Sequence, residues 1–262
     1  MNLQFTGKTA LVSGSTKGIG HAIAARLAAE GARVIVNGRT EQAVASALEQ
    51  IRKATPEAKV EGFAGDLSTE KATGELLRLF PEVDILVNNL GIFEPKPFEE
   101  IPDDDWRRFF EVNVLSGVRL SRSYLPAMKK KNWGRVIFIS SESAIQIPVE
   151  MIHYGMTKTA QLALSRGLAE DCAGTGVTVN SVLPGPTRSA GVEEFVKELS
   201  GGKPFDVFEK EFFTNVRPSS LIKRFATTEE VADLVGFVCS PLASAVNGAA
   251  LRVDGGCVRS CF

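Results

Sequence analysis

Short apolar runs alternate with helical stretches along almost the whole of this 262-residue chain, and that rhythm leaves few folds open. The strand candidates cover residues 9–13, 33–37, 60–64, 85–88, 135–140, 178–182 and 251–253. Between them lie helical stretches that include 21–30, 41–54 and 104–131. Strands that read as continuous Val, Ile and Leu are buried on both faces, which calls for a parallel sheet with helices on either side. Right-handed crossovers wind such a sheet in both directions and leave its ligand site at the strand C-termini. The expected fold is therefore α/β, a doubly wound parallel sheet of about seven strands, as a single domain over residues 1–262. A chain of this length can bury roughly 70–75% of its unfolded surface, enough for one packed core.

Charge and cysteine usage exclude several classes of function. A net charge of −1 argues against a general nucleic-acid or acidic-membrane partner. The one basic run, Lys129-Lys130-Lys131, closes a predicted helix, where cations complement the dipole. The four cysteines, Cys172, Cys239, Cys257 and Cys261, show no Cys-x-x-Cys spacing, and His21 and His153 are the only histidines. Neither zinc nor a disulfide framework is expected, and Cys257 and Cys261 read as free thiols that oxidation would be able to pair. No apolar run approaches eighteen residues and no basic-then-apolar leader is present, so the chain is expected to be soluble and cytoplasmic.

The first strand candidate runs into Ser13-Gly14-Ser15-Thr16-Lys17-Gly18-Ile19-Gly20 and then a helix. A Gly-rich turn between strand and helix suits a dinucleotide. Gly14 opens the turn, Gly18 lets the backbone approach a pyrophosphate, and Gly20 allows close helix–strand packing. The helix N-terminus then offers unpaired amides to the phosphates. The second strand candidate ends Val36-Asn37-Gly38-Arg39, without the acid that such folds use on the ribose hydroxyls. Arg39 instead offers a guanidinium fork suited to a 2′-phosphate, and Lys17 a second positive charge, although both also suit a solvated rim. Glu41, the nearest acid, follows Thr40 in what reads as a helix first turn.

Tyr154 and Lys158 stand four apart and so share one helix face. A tyrosine titrates near pH ~10 unless a neighbouring ammonium favours the phenolate. Such a pair performs proton transfer near neutrality. Ser141 lies thirteen residues upstream, at the end of Val136-Ile137-Phe138-Ile139, where a strand C-terminus presents it. Asn113 falls inside a predicted helix, where an amide costs stability without obvious gain. Each of these is ordinary alone; the four in this order are not.

The set resembles the short-chain dehydrogenase/reductase family, in particular its 3-oxoacyl-reductase-like members, from Lys8 to Val253-Asp254-Gly255-Gly256. The resemblance implies a Rossmann-type fold and NADP(H) as cofactor, with Lys17 and Arg39 carrying the preference. It places Gly14 to Gly20, including Ser15, Thr16, Gly18 and Ile19, around the pyrophosphate, and Asp66 and Leu67 on the adenine. Asn89 and Gly91, within Asn88-Asn89-Leu90-Gly91, would lie by the ribose; Leu90 departs from the small residue usual there. Pro184, Gly185 and Thr187 would run along the nicotinamide. The resemblance also implies Tyr154 as proton donor to a carbonyl oxygen and Lys158 as the group that lowers its pKa and binds the ribose. Ser141 would orient and polarise the carbonyl, and Asn113 would hold a water linking Lys158 to solvent.

The expected reaction is NADPH-dependent reduction of a ketone or 3-oxoacyl carbonyl on a small-molecule substrate with an apolar body. Ile145, Ile147, Pro148, Val149 and Met151, with phenylalanines at 195, 205, 208, 212 and 213, would receive that body. The stretch 186–225 breaks the alternation and reads as a substrate lid hinged on Gly201-Gly202, Pro204 and Pro218, or else as a subunit-contact excursion. His153 reads as pocket wall or surface. The family implies a homotetramer, or a homodimer, built on helices 104–131 and 156–173. An alcohol or steroid dehydrogenase working oxidatively is the alternative enzyme. A non-catalytic dinucleotide-binding regulator is the alternative of another class, and intact Ser141, Tyr154 and Lys158 speak against it.

Overall fold

A computed structural model describes residues 2–189 and 204–261. Seven strands form one parallel sheet: β1 (Thr9–Val12), β2 (Arg33–Gly38), β3 (Lys59–Ala64), β4 (Ile85–Asn88), β5 (Gly134–Ile139), β6 (Val177–Pro184) and β9 (Ala250–Val253). Their spatial order is β3-β2-β1-β4-β5-β6-β9, with Leu11 paired to Ile35 on one side and Leu86 on the other. The chain winds outward from β1 in one direction and from β4 in the other. A crevice therefore opens between the C-terminal ends of these two strands.

Helices cover both faces of the central strands, so that every residue of β4, β5 and β6 is buried, polar Asn88, Arg135, Thr178, Asn180 and Ser181 included. On one face α1 (Gly18–Ala29), α2 (Glu41–Ala54) and α8 (Thr228–Cys239) contribute Ile23, Leu27, Ile51, Val231 and Val235. On the other, α3 (Glu70–Leu79), α5 (Ser116–Lys131) and α6 (Ile152–Asp171) contribute Leu76, Leu120, Tyr124, Met128 and Ala169. In α2 the buried Val44, Ala47 and Ile51 recur at helical spacing, and the Thr40 hydroxyl caps the first turn by accepting from Ala43 N at 3.3 Å. Thr227 and Glu230 close α8 with a reciprocal capping box.

Two elements differ from the sequence expectation. The helix after the glycine turn begins at Gly18 rather than His21, so Gly18 and Gly20 belong to its first turn. The single helix expected over 104–131 is α4 (Asp103–Phe110), a π-helical turn (Glu111–Leu115) and α5 in series. The apolar period continues across the wider turn, which is why the pattern reads as one helix.

Beyond β6, β7 (Thr187–Arg188) pairs in parallel with β8 (Ala226–Thr227), and α7 (Phe205–Asn215) lies between them in sequence. Residues 190–203 of the expected lid, with Phe195 and Gly201-Gly202, lie outside the described residues. Among the described residues no helix is long and apolar enough to cross a membrane.

Candidate active site

The glycine turn is built by hydrogen bonds as much as by glycine. Gly14 and Gly18 hold φ of 61° and 60°, the left-handed region where a side chain is strained. A Cβ on residue 20 would collide with Asn89 Nδ2 and the Gly14 carbonyl. Buried Asn37, at the end of β2, accepts from Gly14 N at 3.0 Å and donates to the carbonyls of Phe63 (3.2 Å) and Gly65 (3.0 Å). Ser15 Oγ donates to Val12 O at 2.6 Å and accepts from Asn37 N at 2.9 Å. Asn89 Nδ2 donates to Ser13 O (3.0 Å) and Gly14 O (2.9 Å), so the Asn89 amide nitrogen latches the turn. Leu90 N donates to Ser13 Oγ at 3.0 Å, and its side chain packs against the core under α3 and α5. The bulk at position 90 is thus absorbed by the core.

This cradle fits a dinucleotide. The N-cap of α1, Lys17, makes no side-chain capping bond, and no acid occupies the first turn, so that helix end suits an anion. Farther out, Arg39 is exposed and makes no ion pair with any described residue, and Lys17 is exposed on the turn. Asp66 Oδ1 accepts from Ser68 N (3.0 Å) and Ser68 Oγ (2.7 Å) in a local turn. Leu67 is buried in the core, which leaves only its backbone to meet an adenine.

Tyr154 and Lys158 project from α6 toward Ser141, which follows β5, with Lys158 Nζ 5.6 Å from the Tyr154 ring centroid. Phe93 packs edge-on to the Tyr154 ring at 6.3 Å. Lys158 donates to Ile139 O at 2.9 Å and more loosely to Gln161 Oε1 at 3.4 Å. Burial pushes its pKa down to about 7. Burial also pushes the Tyr154 phenol above its ordinary range; the Ser141 hydrogen bond opposes that rise and the Glu142 charge adds to it. Desolvation is therefore the largest influence on the phenol.

Asn113 occupies the π-turn, and its side-chain amide is hydrogen-bonded within the protein. Oδ1 accepts from Ile92 N at 2.8 Å, while Nδ2 donates to Ile92 O (3.0 Å) and Thr157 Oγ1 (2.9 Å). Its backbone carbonyl accepts from Gln161 Nε2 at 2.5 Å, and Gln161 in turn reaches Lys158. Among the described residues a side-chain path through Gln161 thus joins Asn113 to Lys158.

A cavity of about 600 Å³ runs from Ile19 and Gly91 past Tyr154 and Lys158 to Pro184 and Thr187. Phe208, Phe212, Phe225, Phe93 and Met151 give it an apolar wall, and Glu142, Glu150 and Arg217 a charged corner. Not all the expected wall residues reach it. Ile145, Ile147 and Val149 are exposed outside it, while Phe205, tilted, and Phe213, edge-on, pack on the Phe225 ring and anchor α7. His153 is neither wall nor surface: it is 0% exposed, packed between Phe109 (4.0 Å) and Trp106 (5.9 Å). Its burial holds the imidazole pKa low.

Asn37, Gln161, Glu142 and Arg217 were not assigned roles from sequence. Asn37 carried one signal, a polar side chain at the end of an apolar strand, and Gln161 another, its place three residues after Lys158 on one helix face. Arg217 carried none.

A model of the family described as short chain dehydrogenase matches residues 8–200. The chain is 55% identical over its full length to the full length of YvaG, an uncharacterized oxidoreductase of Bacillus subtilis. It is 33% identical to a 3-oxoacyl-(acyl-carrier-protein) reductase of Aquifex aeolicus, covering 98% of this chain and 99% of that one. The structure of L-sorbose reductase from Gluconobacter frateurii, complexed with NADPH and L-sorbose, superposes with TM-score 0.91 at 30% identity. That match covers 99% of this chain and all of the other.

Proposed function

The chain belongs to the short-chain dehydrogenase family, and from that membership we propose an NADP(H)-dependent oxidoreductase that reduces a ketone or 3-oxoacyl carbonyl to an alcohol. One observation carries the reading: Tyr154, Lys158 and Ser141 line the same cavity as Gly91, Pro184 and Thr187. When bound there, a nicotinamide supplies the hydride. Tyr154 supplies the proton to the carbonyl oxygen. Two of the three Lys158 donors have protein acceptors, which leaves one for the ribose. Gly91 keeps that space open, since even a Cβ there would stand 3.4 Å from Lys158 Nζ. Thr187 donates its hydroxyl hydrogen to Gly185 O at 2.9 Å and keeps its lone pairs for a carboxamide N–H.

Lys17 and Arg39 support the phosphorylated cofactor, and the NADPH held by L-sorbose reductase agrees with it. The apolar wall supports a substrate with an apolar body, and α7 with the loop to β8 is the part of the proposed lid that faces it. Self-association as a homotetramer or homodimer belongs to the same reading, with α5 and α6 as candidate faces. The test is NADPH consumption with a panel of ketones by wild type and Tyr154→Phe. Loss of the general acid should lower kcat by at least about 10²-fold, with NADPH affinity kept. A variant keeping more than about a tenth of the turnover would remove Tyr154 from the reaction.

A further inference from the structure

The charged corner of the cavity holds a guanidinium that is only partly used. Arg217 is 8% exposed and lines the cavity together with Glu142 and Glu150. Its Nε donates to Glu142 Oε1 at 3.3 Å. Its Nη1 donates to Val216 O at 3.1 Å and more loosely to Glu150 Oε1 at 3.5 Å. Among the described residues none accepts from Nη2, and that nitrogen is not enclosed. An arginine that keeps two N–H groups for an open cavity is placed to donate to what fills it. We propose that Arg217 is a specificity-determining residue, whose Nη2 donates to an uncharged oxygen of the substrate close to the reacting carbonyl, and that Glu142 and Glu150 turn away a substrate carrying a carboxylate there.

The proposal rests on the reductase reading and names the substrate class for it. Glu142 directly follows Ser141, and its charge is felt at the Tyr154 phenol, so this corner adjoins the point where the carbonyl reacts. Glu142 is fixed there: it is buried, and its Oε2 accepts from Ser143 N (2.9 Å) and Ser143 Oγ (3.2 Å). Two carboxylates around one guanidinium leave the corner with surplus negative charge. An anionic substituent would gain one attraction and meet two repulsions, away from bulk water where like charges cost most. A hydroxyl or a second carbonyl oxygen takes the Nη2 hydrogens without that cost. A purely structural arginine, tying the segment after α7 to the loop after β5, accounts for Nε and Nη1 but leaves Nη2 without purpose. Phe208, Phe212 and Phe225 line the same cavity and receive the apolar body.

Steady-state kinetics with NADPH test this on three ketones that share a butyl body and differ in the other carbonyl substituent: hydroxymethyl, ethyl or carboxylate. For wild type, kcat/KM should be about ten- to a hundredfold higher with hydroxymethyl than with ethyl, the worth of one hydrogen bond from a charged donor. The carboxylate ketone should fall at least about tenfold below the hydroxymethyl one. Arg217→Met should bring the hydroxymethyl-to-ethyl ratio within about threefold, mainly through KM, and it corrects for any difference in intrinsic reactivity. A structural role alone would slow all three ketones alike and keep the ratio. Glu150→Gln, the milder change, should raise kcat/KM for the carboxylate ketone about tenfold by withdrawing one repulsion. Should Arg217→Met not fold, that variant decides, and an unchanged carboxylate rate would overturn the proposal. Equal rates with hydroxymethyl and ethyl in wild type, a ratio that survives Arg217→Met, or a preference for the carboxylate would overturn it as well. Tyr154→Phe keeps the two readings apart. A wild type that reduces all three ketones equally, and only with Tyr154, leaves the reductase standing and removes this inference alone; turnover that survives in Tyr154→Phe removes both.

Discussion

Among the described residues only the Ile139 carbonyl and the Gln161 amide oxygen accept from enclosed Lys158, and neither carries a full negative charge. Its pKa in the folded chain is about 7, against roughly 10.4 when unfolded. Between these values the unfolded chain binds more protons, so this group makes stability rise with pH from about 7 to about 10. Three buried thiols act in the opposite sense above pH ~8.5, because burial raises the pKa of Cys172, of Cys257 to about 11 and of Cys239 to about 12. The difference between wild type and Lys158→Met therefore isolates the lysine. Urea midpoints should give a variant that gains most over wild type at pH 7 and progressively less toward pH 10. An equal gap at both pH values would place a proton on Lys158 throughout. Turnover gives the reverse ranking, since the variant loses the ribose contact and should need more NADPH.

At the level of elements, the strands and α2 were legible because their signals are local: unbroken apolar runs, a helical period of Val44, Ala47 and Ile51, a Thr40 cap. The glycine turn and the Tyr154–Lys158 pair were legible for the same reason, since both are fixed spacings within one or two turns of chain. What holds them was not. Asn37, Gln161 and Arg217 act across 23, 48 and 75 residues of sequence, on Gly14, Asn113 and Glu142. No local pattern encodes such distances. His153 shows the limit well, because neighbouring Tyr154 suggests chemistry while the seam between α4 and α6 takes it as a flat ring. Neither of its nitrogens has a hydrogen-bond partner among the described residues, so one buried N–H goes unmet there. Such a group costs about 1–3 kcal/mol. Folding also depresses its pKa, so its contribution to stability is full above the unfolded value near 6.5 and is lost as pH falls below that. His153→Phe should raise the urea midpoint, and the gain should grow between pH 7 and pH 5. A variant that loses stability at both would mean that the imidazole has an unseen partner.

Taken as a whole, the molecule brings the ends of β1, β2, β4 and β6 to one crevice, so a cofactor bound there stabilises the sheet as a unit. Ligand at a hundredfold its Kd adds about 2.7 kcal/mol, and each kcal/mol raises the melting point of a chain near this size by about 2–4 °C. NADPH at that level should thus shift melting by roughly 5–10 °C. Under the proposed preference, Arg39 and Lys17 would meet a 2′-phosphate that NADH lacks. Even discounted for exposure and salt, two charge-assisted contacts favour NADPH on the order of 10²-fold. NADH at the same concentration would then sit near its own Kd and shift melting by only about 1 °C. Arg39→Ala should bring the NADPH shift down toward the NADH value and leave the unliganded melting point alone, since Arg39 is exposed. Converting the preference with an acid at position 38 is a poorer route. A Cβ there would collide with Thr16 Cγ2, and Gly38 is buried at the end of β2, so Gly38→Asp should lower stability before it reads any ribose. Equal shifts with the two cofactors in wild type would show that Lys17 and Arg39 turn away from the adenosine end.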